Sequence, residues 1–218
     1  MLESKAHDPG AWSLLKEIAV VLAENAQVAA PAVSGLVMAL AHYDRNLDVA
    51  IVDSIVKVAE LHRSEVLNVL AMCLDGAPRG WAASRSGALV VVAKLGTNAE
   101  RLIPKIAEQV LSYWGSDRKV AGIEALVRVD PELESEETRR ALLHTLEDPR
   151  SLPARIEALR SIIDILHTRT SKGRPLEDEG LAEMFQRAEV SMMREGKELL
   201  RTSYEAYETK LERIRGEK

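Results

Sequence analysis

Apolar residues return to the same place in this chain every 33 to 37 residues, and that return limits what it can fold into. Leu40, Leu74, Leu111 and Leu146 stand 34, 37 and 35 residues apart, and Ile55, Leu89, Leu126 and Leu159 stand 34, 37 and 33 apart. Corresponding members of the two series are separated by 15, 15, 15 and 13 residues. Such a period is one supersecondary unit long, and two helices joined by a turn fit it. The second series repeats locally as Ile55-Val58-Ala59, Leu89-Val92-Ala93, Leu126-Val129 and Leu159-Ile162-Ile163. Those are the three- and four-residue spacings of a helix face.

Helix signals fill the intervals. Asp8-Pro9-Gly10 reads as a start, and Leu14, Leu15, Ile18, Val21 and Leu22 recur at helical spacing up to Asn25. Further helices are predicted over about 31–43, 47–62, 64–74 and 79–96. Thr97-Asn98-Ala99-Glu100 has capping-box spacing and predicts the start of another, with Pro104 tolerated in its first turn. The pattern continues over about 118–129, from Ser135 to 146, and over 153–167. Nothing between the turns alternates with period two for long, so strands are not expected. With one Phe, three Trp and four Tyr in 218 residues, the core must be filled by Ala, Val, Leu and Ile. That composition suits closely packed helices.

The turn-plus-second-helix segments carry a resemblance. They are Asp48-Val-Ala-Ile51, Ala82-Ala-Ser-Arg85, Arg118-Lys-Val-Ala-Gly122 and Pro153-Ala-Arg155-Ile156. They resemble HEAT-type repeats and their armadillo-like relatives, with a short Asp- or Pro-bearing turn and an Arg near the start of the second helix. Ile51 and Gly122 depart from the pattern where that arginine would align. The resemblance implies an all-α chain: a short right-handed α-solenoid of HEAT-like helical hairpins with a long C-terminal helix. Residues 1–30 are then an N-terminal capping helix, 31–168 four hairpins, and 169–218 a linker and a C-terminal amphipathic helix. One hairpin cannot bury its apolar face alone, so stacking closes the core.

The tail has a different pattern. Thr168 to Pro175 reads as a linker. From Glu177 to Arg215 the sequence predicts one long helix, or two joined near Gly196. Tyr204, Tyr207, Leu211 and Ile214 form a heptad-like stripe that needs covering, either by the solenoid or by a second copy, making a homodimer. The step from Leu199 to Leu200 shifts the phase of the apolar positions.

Little in the chain points to a reaction. The histidines His7, His42, His62, His144 and His167 make no metal-motif spacing, and Cys73 has no Cys–His arrangement around it. Phosphate-binding glycine loops and a Gly-x-Ser-x-Gly elbow are absent. No catalytic residue, metal or cofactor is therefore expected. A hydroxylase of the kind known among HEAT-like proteins would need a His/Glu constellation that the sequence lacks, and a bilin lyase rests on analogy alone. Some HEAT-like proteins are alkylbase DNA glycosylases, and Trp81, Trp114, Arg85 and Asp117 echo their residue types without the rest of the aromatic set.

The formal charge is −5, Cys73 is the single cysteine, the first residues hold no signal-peptide core, and the apolar runs are too short for a membrane span. A cytoplasmic protein is expected. In such arrays the second helices line the inner curve, and their charges here include Asp53, Lys57, Arg85, Lys94, Lys119, Arg128, Arg155, Arg160 and Asp164. Lys57, Arg85, Lys94, Arg128, Arg155 and Arg160 are the expected partner-binding residues. The expected function is a non-enzymatic scaffold that holds a protein partner on the concave face, with Tyr204, Tyr207, Leu211 and Ile214 used for assembly or docking. The alternative is nucleic-acid binding or glycosylase-type DNA repair.

Overall fold

The computed structural model describes residues 9–40, 45–76, 84–112, 115–174, 176 and 178–216. Among them the regular structure is entirely helical, with no strand. The chain divides into two compact units, Met1–Lys105 and Ile106–Lys218.

In the first unit, α1 (Pro9–Glu24), α2 (Val33–Ala39), α3 (Arg45–Leu61), α4 (Arg63–Asp75) and α5 (Arg85–Leu95) gather around α3. That helix packs against all four of the others. Ile51, Ile55, Leu70, Leu74 and Leu89 are fully buried, so both marker series of the sequence form this core. The second helices α3 and α5 lie against each other, as do the first helices α2 and α4. α1 takes the place of a preceding second helix beside α3. There the Ser54 hydroxyl donates at 2.7 Å to the Ala19 carbonyl, and His62 Nε2 stands 3.0 Å from the Gln27 carbonyl. Both contacts join residues 35 apart, the length of one repeat.

Small residues set the close approaches. A Cβ on Gly87 would lie 2.5 Å from Leu40 Cβ. Gly76 ends α4 with φ of 76°, a conformation that costs other residues energy, and the Arg85 guanidinium fills the space where its side chain would be. The helix predicted from Pro31 begins at Val33, after two short 3₁₀ turns, Ala26–Val28 and Ala30–Ala32. The capping-box segment also differs. Gly96–Leu102 is 3₁₀, with Ala99 off helical angles, and α6 (Ile103–Leu111) begins only where Pro104 falls in the first turn and needs no N–H partner. Arg101 donates to the Ser64 carbonyl and to Asn68, holding that irregular segment on α4.

The second unit is centred on α9 (Leu152–Ser171), packed by α7 (Ser116–Val129), α8 (Glu136–Glu147), α10 (Glu179–Leu200) and α11 (Tyr204–Arg215). A Cβ on Gly122 would meet Val110 Cγ2 at 2.6 Å, so this glycine lets α7 approach α6. The α7–α8 turn is built on Asp130, whose carboxylate accepts from the N–H groups of Glu134 and Ser135 at 2.9 and 3.0 Å. Ser135 then caps α8.

Two expectations for the tail change. The predicted linker is partly helix, because α9 runs on to Ser171. Thr168 and Thr170 turn their hydroxyls back to carbonyls four residues earlier, and Arg169 and Arg174 reach Glu132 on the α7–α8 turn. The long C-terminal helix is two helices. They part at Arg201, with φ of 42° and ψ of −107°, beside the Leu199–Leu200 phase shift rather than at Gly196. Gly196 instead makes room for the Tyr204 ring, which would stand 3.0 Å from a Cβ there. The pair acts as another hairpin: α10 packs on α8 and α9, and α11 on α9.

Candidate functional site

The six cations expected at a partner surface have different surroundings. Lys94 donates to Asp53 at 2.5 Å, joining α5 to α3, and Lys57 stands 3.4 Å from Glu60 on its own helix. Arg85 is 9% exposed and folds over Gly76 rather than reaching a rim. It lies close enough to Cys73 to oppose the burial that pushes that thiol up to about 11. Arg155 is half-buried, donates from Nε to the Leu146 carbonyl at 3.1 Å and pairs with Glu195 on α10. Arg128 and Arg160 form no ion pair with a described residue, and Arg160 Nε is buried without a hydrogen-bond partner among the described residues. Lys119, also expected to be exposed, is buried against Asp148.

Arg128 and Arg160 belong to the most site-like part of the surface, the face made by α7, α9 and α11. Glu124 and Arg128 are one turn apart on α7; on α9 Glu157 stands at the level of Glu124, at the repeat offset of 33 residues, and Arg160 one residue short of the level of Arg128. The charges interact across the two helices. Burial pushes the Glu157 carboxyl above its ordinary value, and Glu124 and Asp164 push it further, against Arg160. Toward α11, Asp164 accepts from Tyr207 Oη at 3.1 Å and from Lys210 Nζ at 2.5 Å. Burial and the Asp164 charge push the Tyr207 hydroxyl up to about 12, so it remains a donor. His167 is held below its ordinary value by burial and by Arg213 and Lys210, and its Nε2 is buried without a hydrogen-bond partner among the described residues. The face therefore carries both signs in an ordered pattern, with a neutral imidazole at one end.

A second concavity of about 980 Å³ lies between α8–α9 and α10. Arg155, Arg187 and Arg194 line it, but each already pairs with a carboxylate: Glu195, Glu147 with Glu183, and Glu195 again. A third, of about 670 Å³ and mostly apolar, runs between α1 and α3.

No protein-family model, curated protein or solved structure matches the chain. Its chemistry has to be read from the residues themselves. Among the described residues, no group of three or more His, Cys, Asp and Glu side chains can hold a metal ion. No described helix is long and apolar enough to cross a membrane. Trp81 and Trp114, the aromatic half of the glycosylase-like set, lie outside the described residues, as do His7 and His42.

The expected assembly residues face their own unit. Leu211 and Ile214 are 4% and 9% exposed on the α9 side, Tyr207 bonds Asp164, and Tyr204 lies over Gly196. Glu124 and Glu157 were legible in the sequence through the repeat itself. Both stand two residues before a second-series marker, as Asp53 does before Ile55. The signal lay in the acids at a fixed repeat position; counting basic residues passed over it.

Proposed function

We propose that this chain is a non-enzymatic HEAT-like scaffold whose second helices hold a protein partner. The observation that carries the reading is the packing order inside each unit. Second helix lies on second helix, α3 on α5 and α7 on α9, while first helix lies on first helix, α2 on α4 and α8 on α10. This is the neighbour rule of stacked helical hairpins, and within each unit it sets neighbouring second helices side by side. On the α7–α9–α11 face of the second unit, mixed charge favours a partner carrying acids against Arg128 and Arg160 and bases against Glu124 and Glu157. A phosphate backbone fits less well. Among the six expected cations, Lys57, Lys94 and Arg155 are already neutralised by carboxylates and Arg85 is buried, so few charges remain to displace counterions. The α10–α11 hairpin is assigned to closing the stack beyond α9.

Affinity capture from native extract tests the proposal, comparing the wild-type chain with an Arg128→Glu/Arg160→Glu variant of unchanged helicity. A protein retained by the first and lost by the second supports it. Partners retained equally by both place the binding surface elsewhere. Tight duplex or single-stranded DNA binding at low salt that falls steeply as salt is raised would favour the nucleic-acid reading instead.

A further inference from the structure

We propose that the groove between α1 and α3 is the interface of a two-fold symmetric homodimer in which the two α1 helices lie antiparallel. The first observation is how little of α1 is covered. Of its side chains from Ser13 to Glu24, Ala19 alone is buried. Leu14, Val20 and Val21 are 57%, 44% and 54% exposed. A helix apolar around most of its circumference belongs in an interior. The C-terminal stripe, which on sequence grounds was the segment in need of cover, is covered by α9; α1 is the helix left uncovered.

The groove has an apolar floor, with Val20 and Ala23 from α1 and Val49 and Ala50 from α3. Its rims name the occupant. The 35-residue register between α1 and α3 puts Val20 level with Ile55. On α1, Lys16 and Glu24 each lie four residues from Val20; on α3, Asp53 and Lys57 each lie two residues from Ile55. In an antiparallel helix pair, residues equidistant from the symmetry axis face each other. One axis at the Val20–Ile55 level therefore sets Lys16 against Glu24 of the second copy and Lys57 against its Asp53, and each pair occurs twice. The charges of both helices are their own reverse complement about a single level. A two-fold interface between copies requires that property, and a foreign ligand does not. Among the described residues, Lys16 and Glu24 form no ion pair within the chain, whereas Asp53 is shared with Lys94 and Lys57 with Glu60. The axis also brings the two Val20 side chains together at the centre of the floor.

Sedimentation equilibrium of the full chain over a wide concentration range is the test. A reversible dimer is expected. Lys16→Glu and Glu24→Lys each place like charges opposite one another twice, and each should raise the dissociation constant by about tenfold. The double variant, Lys16→Glu with Glu24→Lys, restores opposite charges and should return it to near the wild-type value. Val20→Glu should give a monomer of unchanged helicity by circular dichroism; if that variant misfolds, the charge swaps carry the test by themselves, because both residues are exposed. A wild-type chain that is monomeric throughout overturns the proposal. So does a dimer whose dissociation constant is the same in both single variants and in the double.

Discussion

Lys119 and Asp148 form an ion pair at 2.6 Å with their side chains only 3% and 2% exposed. One lies near the start of α7 and the other just past the end of α8, so the pair fastens the second helix of one hairpin to the first helix of the next. Asp148 also accepts from the Arg150 backbone and guanidinium at 2.7 to 3.1 Å. Arg150, with Lys119 behind it, holds the Asp148 carboxyl well below the usual carboxylate range. The two cations are not equivalent, however. The Arg150 side chain is 54% exposed, so water replaces it when it is lost, and water cannot easily replace Lys119.

Lys119→Met should therefore cost about 3 kcal/mol, because it leaves a buried carboxylate short of a partner. Arg150→Ala should cost less than about 1 kcal/mol. Urea unfolding monitored by circular dichroism measures both, and equal losses would contradict the burial argument.

Acid should act on Glu157 and Asp148 in opposite directions. The folded state lowers the Asp148 value, so its contribution is present above the ordinary carboxylate range and is lost as pH falls through the folded value. The folded state raises that of Glu157, so its contribution is complete in acid and is lost as pH rises through the folded value. Glu157→Gln should raise Tm at pH 7 by about 2–4 °C and leave it unchanged at about pH 3. Calorimetry at the two pH values checks the sign.

Arg201 joins α10 to α11 in a backbone conformation that side chains disfavour. Arg201→Gly should stabilise the protein by about 1 kcal/mol, the relieved strain exceeding the added freedom of the unfolded chain. An Arg201→Ala control keeps the strain and should give no gain.

Two glycines grade the closeness of helix packing. A methyl at Gly87 meets Leu40 Cβ, which is fixed to the backbone, whereas at Gly122 it meets a terminal methyl of Val110. Gly87→Ala should cost about 2–3 kcal/mol and Gly122→Ala about 1–2 kcal/mol. Val110→Ala should recover part of the second loss and none of the first, measured by denaturant midpoints in a double-mutant cycle.

The all-helical class was legible because Leu74, Leu89, Leu126 and Leu159 return at repeat spacing and all four are fully buried. Boundaries were less legible where one residue outweighs a motif. Pro104 delays α6 despite the capping box at Thr97, and two threonines carry α9 into a segment of linker composition. Charge was the hardest to read. Lys119 and Arg85 look like exposed cations in a list of second-helix residues. Whether a lysine points to water or to a carboxylate 29 residues away depends on side-chain direction around the helix, which apolar spacing leaves open.

The single buried side chain in the described part of α1 has a kinetic consequence. Backbone amides are released in the order in which their surroundings open, and a helix that packs on α3 with one fully buried side chain and leaves its other face to water opens early. In deuterium the α1 amides should exchange while those of α3, closed in by four neighbouring helices, still hold their protons. The protein would then lose its structure from that edge inward, and whatever occupies the α1–α3 groove would slow the process.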